Sequence, residues 1–176
     1  WRNAPVNILF PHFWTYIGRF VHTNIIFYLV FIFNTKEKKT SEKKKTNVIA
    51  LELPKGKIIT GKQTDLLSPA SSVIINAIKE LSKIPDEINL LSPTILEPIL
   101  KLRKNNNTLS LQEVLIALAV CSVTNPSIAS ALEKLEVLKD CEAHATYIVT
   151  NGDLKALKSL KINLTCEPNF YSKEIM

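Results

Sequence analysis

Apolar and polar positions change rhythm several times along this chain, and each change marks an element. Ile49, Leu51 and Leu53 alternate with Val48, Ala50 and Glu52, which is strand period. Pro54-Lys55-Gly56 supplies a turn before Ile58-Ile59-Thr60, so residues 47–62 predict a β-hairpin. Ser68-Pro69 pairs a cap with a first-turn proline, and Ile74, Ala77, Ile78 and Leu81 then follow at helical spacing, predicting a helix over 69–83. Ile88 to Leu91 reads as a short strand. Ser92-Pro93 opens a helix carrying Ile95, Ile99 and Leu102, which Pro98 should kink or delay.

After the Asn105-Asn106-Asn107 loop, Ser110 and Glu113 stand three apart as a capping box. The eight apolar residues from Val114 to Cys121 leave that helix no polar face, so it is expected to be central and buried. Asn125-Pro126 starts a further helix with Ile128, Ala131, Leu132, Leu135 and Leu138 on one face. Ala145 to Val149 reads as a strand, Leu154 to Leu160 as a short helix, and Ile162 to Cys166 as the last strand. A hairpin, helices and alternating strands imply an α/β domain, because amphipathic helices need a sheet face to cover.

The N-terminal stretch obeys none of these rhythms. Residues 1–35 are rich in Phe, Ile, Tyr and Asn, and their longest apolar run, Ile25 to Phe33, is well short of the ~20 residues a spanning helix needs. Extending it back to Phe13 takes in Arg19, His22 and Asn24, each costly in hydrocarbon. A membrane anchor over 13–33 and flanking sequence encoded by AT-rich DNA are the two readings open for this head. Residues 36–46 form a lysine-rich linker, 47–170 the α/β domain, and 171–176 a tail; the head is expected to lie outside the core. Beginning at Trp1 rather than Met, the sequence reads as a fragment, a processed chain or a gene model with an uncertain start.

Charge adds little to function once it is located. Of the net +6, the excess sits in the first 62 residues, where nine lysines between 36 and 62 face only Glu37, Glu42 and Glu52; the remainder is close to neutral. A nucleic-acid surface is therefore not expected. Three cysteines, Cys121, Cys141 and Cys166, with no CxxC pair suggest a reducing, cytoplasmic setting.

A collinear series of motifs resembles the domain-of-unknown-function 1846 family, also called uncharacterised protein family 0371. The series comprises Ala50-Leu51-Glu52-Leu53-Pro54, Ile59-Thr60-Gly61-Lys62, the Ser68 to Ser72 helix start, Ile88 to Pro98, Glu113 to Leu118, Asn125-Pro126, Cys141-Glu142-Ala143-His144 and Ile162 to Pro168. It covers residues 47–170 and looks like the C-terminal end of much longer proteins. The resemblance implies a three-layer αβα sandwich with a mixed sheet and an N-terminal β-hairpin. It also implies a glycine-rich Gly-Pro-Gly-Ser-Gly-Lys stretch in an N-terminal portion, which this chain lacks. The "ATP-dependent zinc protease" label borne by some members is not carried over, since no His-Glu-x-x-His occurs here.

Four constellations invite chemistry. Gly56-x4-Gly61-Lys62 is one residue short of a phosphate loop, with Gln63 where Ser or Thr belongs, and its strand-forming Lys57-Ile58-Ile59 favours the hairpin. Cys121, Cys141, Cys166 and His144 could supply zinc ligands, but no tight cysteine pair is present and some members of the resembled family have Ser in place of Cys141, so neither metal nor cofactor is expected. Glu142 and His144, two apart at a strand entrance, could work as an acid–base pair or simply brace the strand. Lys62 with Ser71 and Ser72 at a helix start could hold an anion, though ordinary capping explains the serines as well. If these last two groups act together, Glu142 and His144 should lie near the sheet edge and share one concavity with Lys62 or the 68–72 helix start. The leading expectation is a non-catalytic domain that packs against the remainder of a longer family protein or forms a homo-oligomer. The alternatives are a contribution to a small-molecule or nucleotide-binding, hydrolase-like site, and a membrane-anchored protein.

Overall fold

The computed structural model describes residues 47–102 and 108–166; the head, the linker, the Asn105–Asn107 loop and the tail lie outside the described residues. The N-terminal hairpin pairs β1 (Val48–Glu52) with β2 (Ile58–Lys62). Its turn closes through Leu53 N–H to Lys57 C=O and Gly56 N–H to Leu53 C=O, both at 2.8 Å. Gly56 takes φ +76°, the left-handed position that a three-residue hairpin loop requires and that glycine adopts without steric cost.

β2 leads through residues 63–68 into α1 (Pro69–Leu81), which starts as expected: the Ser68 hydroxyl accepts from Ser71 N–H at 3.2 Å. The expected strand over Ile88 to Leu91 is absent. That segment is a turn closed by Ile88 N–H to Pro85 C=O, which leaves Ile88 exposed while Leu90 and Leu91 are buried. α2 (Pro93–Lys101) carries Pro98 inside it rather than starting after it. α3 (Leu111–Ser122) begins at the expected box: the Glu113 carboxylate accepts from both Ser110 N–H (2.8 Å) and the Ser110 hydroxyl (2.7 Å). α4 (Pro126–Glu133) tightens into a 3₁₀ turn at Lys134–Leu138 in place of one continuous helix.

β3 occupies Glu142–Ala145, ahead of the expected Ala145 to Val149. Pairing with β1 ends at Thr146 N–H to Val48 C=O, after which the chain leaves the sheet and Ile148 is exposed. α5 (Asn151–Ser159) then crosses to β4 (Asn163–Cys166). The sheet runs β2-β1-β3-β4, with β1 antiparallel to both neighbours and β3 parallel to β4. Among the described residues the fold is an open, mixed four-stranded sheet with five helices, the α/β class the pattern implies.

Register assigns side chains to faces. Ile49 lies opposite Gly61 and Ala145, and Leu51 opposite Ile59 and Ala143; this face joins α1, α3, α4 and α5 in one core. Val48, Ala50 and His144 point to the other face and are buried too. Among the described residues no helix is long and apolar enough to cross a membrane, and the anchor reading of 13–33 falls outside them.

Candidate functional site

One glycine lets a helix lie directly on a strand. A Cβ on Gly61 would meet Val73 N at 2.2 Å and Pro69 O at 2.6 Å, so the first turns of α1 rest directly on the β2 backbone. This accounts for the second glycine of the phosphate-loop look-alike, as the turn accounts for the first; the segment is the expected hairpin. Hairpin parity sends the backbone groups of Ile58 and Thr60 away from β1. Asn76 of α1 reaches this edge and donates to Thr60 C=O at 2.9 Å, and an ion pair joins Lys57 to Glu80.

Between the β2 edge, α1 and the 86–91 turn lies a groove of about 690 Å³. Lys62 and Ser72 both border it, along with Asn76 and Lys79. The Ser72 hydroxyl is buried and has no hydrogen-bond partner. Ser71, one residue earlier, faces inward and is fully used: its hydroxyl donates to Leu109 C=O at 3.1 Å and shares a 3.0 Å contact with Ser68 Oγ. Ser71 thus ties α1 to the strand-like bridge between Leu67 and Leu109.

Glu142 and His144 are not among the groove's lining residues. Both sit on the sheet face away from α1. Each is bonded to its register partner on β4: Asn163 Nδ2 donates to Glu142 Oε1 at 3.1 Å, and His144 Nδ1 lies 2.8 Å from Thr165 Oγ1. Thr165 in turn donates to Ala143 C=O at 3.2 Å, which leaves its oxygen to accept from a protonated Nδ1. Lys62 shares this face, but β1 lies between it and His144, a lateral step of about 10 Å. The structure therefore brings Lys62 and Ser72 to one groove, and Glu142 and His144 to another surface.

The cysteines are scattered. Cys121 is on α3, Cys166 is exposed at the end of β4, and the buried Cys141 thiol contacts Val137 C=O at 3.7 Å. Burial, then the nearby carboxylates of Glu52, Asp140 and Glu142, push the Cys141 thiol above its ordinary range, which disfavours the thiolate a metal needs. Among the described residues no group of three or more His, Cys, Asp or Glu side chains is arranged to hold a metal ion.

Two features lie beyond what the sequence reading anticipated. Asp153 of α5 is buried and accepts from Leu111 N–H at 2.7 Å, so it caps α3 from another helix. α3 itself is not buried on all sides: Leu111, Val114 and Leu118 are, but Ile116, Val120 and Val123 are 58%, 66% and 83% exposed. Their i, i+4, i+7 spacing makes them one stripe. The neighbours α1, α4 and α5 cover only the other side of α3, and an all-apolar sequence cannot indicate which side will stay open.

The C-terminal model of the domain of unknown function DUF1846 matches residues 32–176, starting ahead of Asn47 and spanning every described element. The chain belongs to the DUF1846 family. It is 44% identical over 149 residues to a UPF0371 protein of Clostridioides difficile (strain 630), covering 81% of this chain and 30% of that relative. A UPF0371 protein of Clostridium botulinum (strain Eklund 17B / Type B) is 47% identical over 141 residues, or 77% and 28% of the two chains. One from Clostridium tetani is 42% identical over 133 residues, or 73% and 26%. This DUF1846 chain thus spans less than a third of the length of these curated relatives.

Proposed function

We propose that the described domain is a non-catalytic packing domain that docks, through α3, on the remainder of a longer DUF1846 protein. The supporting observation is the exposed apolar stripe of Ile116, Val120 and Val123, three branched side chains that gain nothing from facing water. The occupant is the N-terminal portion of the same polypeptide, because relatives of the same family carry some 70% of their length beyond the matched region. Three unpaired cysteines support a reducing, cytoplasmic setting for that protein.

The test is complementation in solution. The portion of the C. difficile relative outside the match is produced separately, mixed with this chain and followed by gel filtration with light scattering. A one-to-one complex is expected, and Val120→Asp should abolish it. If the chain instead dimerises alone and the same substitution dissolves the dimer, the occupant is a second copy and the intramolecular docking reading fails.

A second reading, a contribution to a small-molecule site, is favoured by one observation: the buried, unpartnered Ser72 hydroxyl bordering the groove beside α1.

A further inference from the structure

The wall of the groove formed by α1 is more informative than its volume. Ser72, Asn76 and Lys79 recur at i, i+4, i+7 and so form one line along the helix. At one end Ser72 is 8% exposed, and its hydroxyl oxygen is buried without a partner. A buried hydroxyl without a partner forfeits its hydration, so native structures leave few of them.

At the other end Lys79 is only 6% exposed. Among the described residues its ammonium makes a single hydrogen bond, to Asp86 C=O at 2.9 Å, and no carboxylate oxygen lies within ion-pair distance. An ammonium has three donors, and a buried one is ordinarily paired with an anion. The nearest acid along the helix, Glu80, is engaged by Lys57. Between the two ends lie Asn76, whose amide is bound to Thr60 C=O, and the apolar side chains of Ile75, Leu90 and Leu91. Seven residues of helix separate Ser72 from Lys79, a span of about 10 Å.

We infer that the groove binds an elongated small molecule with an oxyanion head, carboxylate or phosphate, at Lys79, an apolar body along Ile75 and Leu91, and a hydrogen-bonding group at Ser72. The inference rests on the small-molecule reading and adds the ligand's class. The lysine supplies the charge-assisted donors, and the size of the groove falls within the range of small-ligand sites.

The chain is titrated calorimetrically with octanoate, octyl phosphate, octanamide and inorganic phosphate. Octanoate or octyl phosphate should bind saturably, and octanamide and inorganic phosphate should each bind at least about tenfold more weakly. Lys79→Gln should weaken the anionic probes by about tenfold or more, Lys79→Arg should restore most of the loss, and Ser72→Ala should weaken them by a smaller factor. Unfolding midpoints recorded on every variant separate lost binding from lost structure. If Lys79→Gln fails to fold, the Lys79→Arg and Ser72→Ala titrations decide.

Equal binding of octanamide and octanoate would overturn the oxyanion assignment while leaving a groove that takes small molecules. Inorganic phosphate binding as tightly as octyl phosphate would overturn the apolar body. Absence of saturable binding by all four probes would overturn the inference and the small-molecule reading together. Undiminished binding of the anions by folded Lys79→Gln would reduce Lys79 to a tie for the 86–91 turn and overturn the assignment of the head.

Discussion

Single residues settle how closely the layers meet, and their reasons differ in how far apart the partners lie along the chain. Gly61 stands out in the sequence, but its reason is a helix backbone pressed onto it, eight and twelve positions further on. Gly61→Ala should destabilise by about 3 kcal/mol or more, because the atoms a methyl would strike are backbone and cannot swing aside; chemical denaturation measures this, and a loss below about 1 kcal/mol would show that α1 can retreat. Asp153 gave no signal at all, since its partner Leu111 N–H is 42 residues away. Glu142 and His144 were legible as a pair sharing one face but not as rungs between β3 and β4, because their partners belong to a strand added after α5.

The Cys141 thiol sets a pH expectation at this same scale. Its folded value is raised above the ordinary 9.0, so the contribution is full below about pH 9 and is lost as pH climbs through the folded value, when the unfolded chain gives up the proton first. The urea midpoint should therefore fall as pH rises above about 9, and Cys141→Ala should fall less steeply. Equal slopes would mean that the thiol is no better shielded than in the unfolded chain.

At the level of elements, local chemistry was a good guide where it is strong and a poor one where a tertiary contact decides. The hairpin turn, the Ser68 cap and the Ser110–Glu113 box all lie within five residues and formed as read. The false strand at 88–91 and the misplaced β3 are short apolar runs, which have no period of their own and follow their surroundings. The ends of α1 and α5 fall within two residues of the expected 83 and 160. Both α1 and α5 stop in the double-bonded motif with a left-handed residue: Ile84 N–H returns to Lys79 C=O and Ile162 N–H to Leu157 C=O, with φ +55° at Lys83 and +59° at Lys161. Lysine holds the left-handed position that glycine usually takes. Lys83→Gly and Lys161→Gly should each stabilise by about 0.5–1 kcal/mol in thermal or urea unfolding; a destabilisation would mean that the lysine side chains contribute more than their backbone strain costs. Leu118→Ala, in the covered side of α3, should cost about 2–5 kcal/mol, whereas a change below 1 kcal/mol would show that this side is loosely packed.

The whole molecule is read most clearly through what it resembles and what it leaves uncovered. Family membership was legible from collinear motifs and is shown by the match over residues 32–176. The open side of α3 was not legible, because Val114 to Cys121 is apolar in every direction and only the positions of α1, α4 and α5 select the stripe that faces out. If that stripe docks on the remainder of a longer protein, its energetic weight must depend on context. The decisive measurement is the stability change of Val120→Asp in two settings: this chain alone, and a chimera in which residues 47–170 replace the matched region of the C. difficile relative. The account predicts a change within about 0.5 kcal/mol in the chain alone, as at ordinary surface sites, and a loss above about 2 kcal/mol in the chimera, where a charge would be buried against apolar partners. The same small change in both settings would contradict docking through α3.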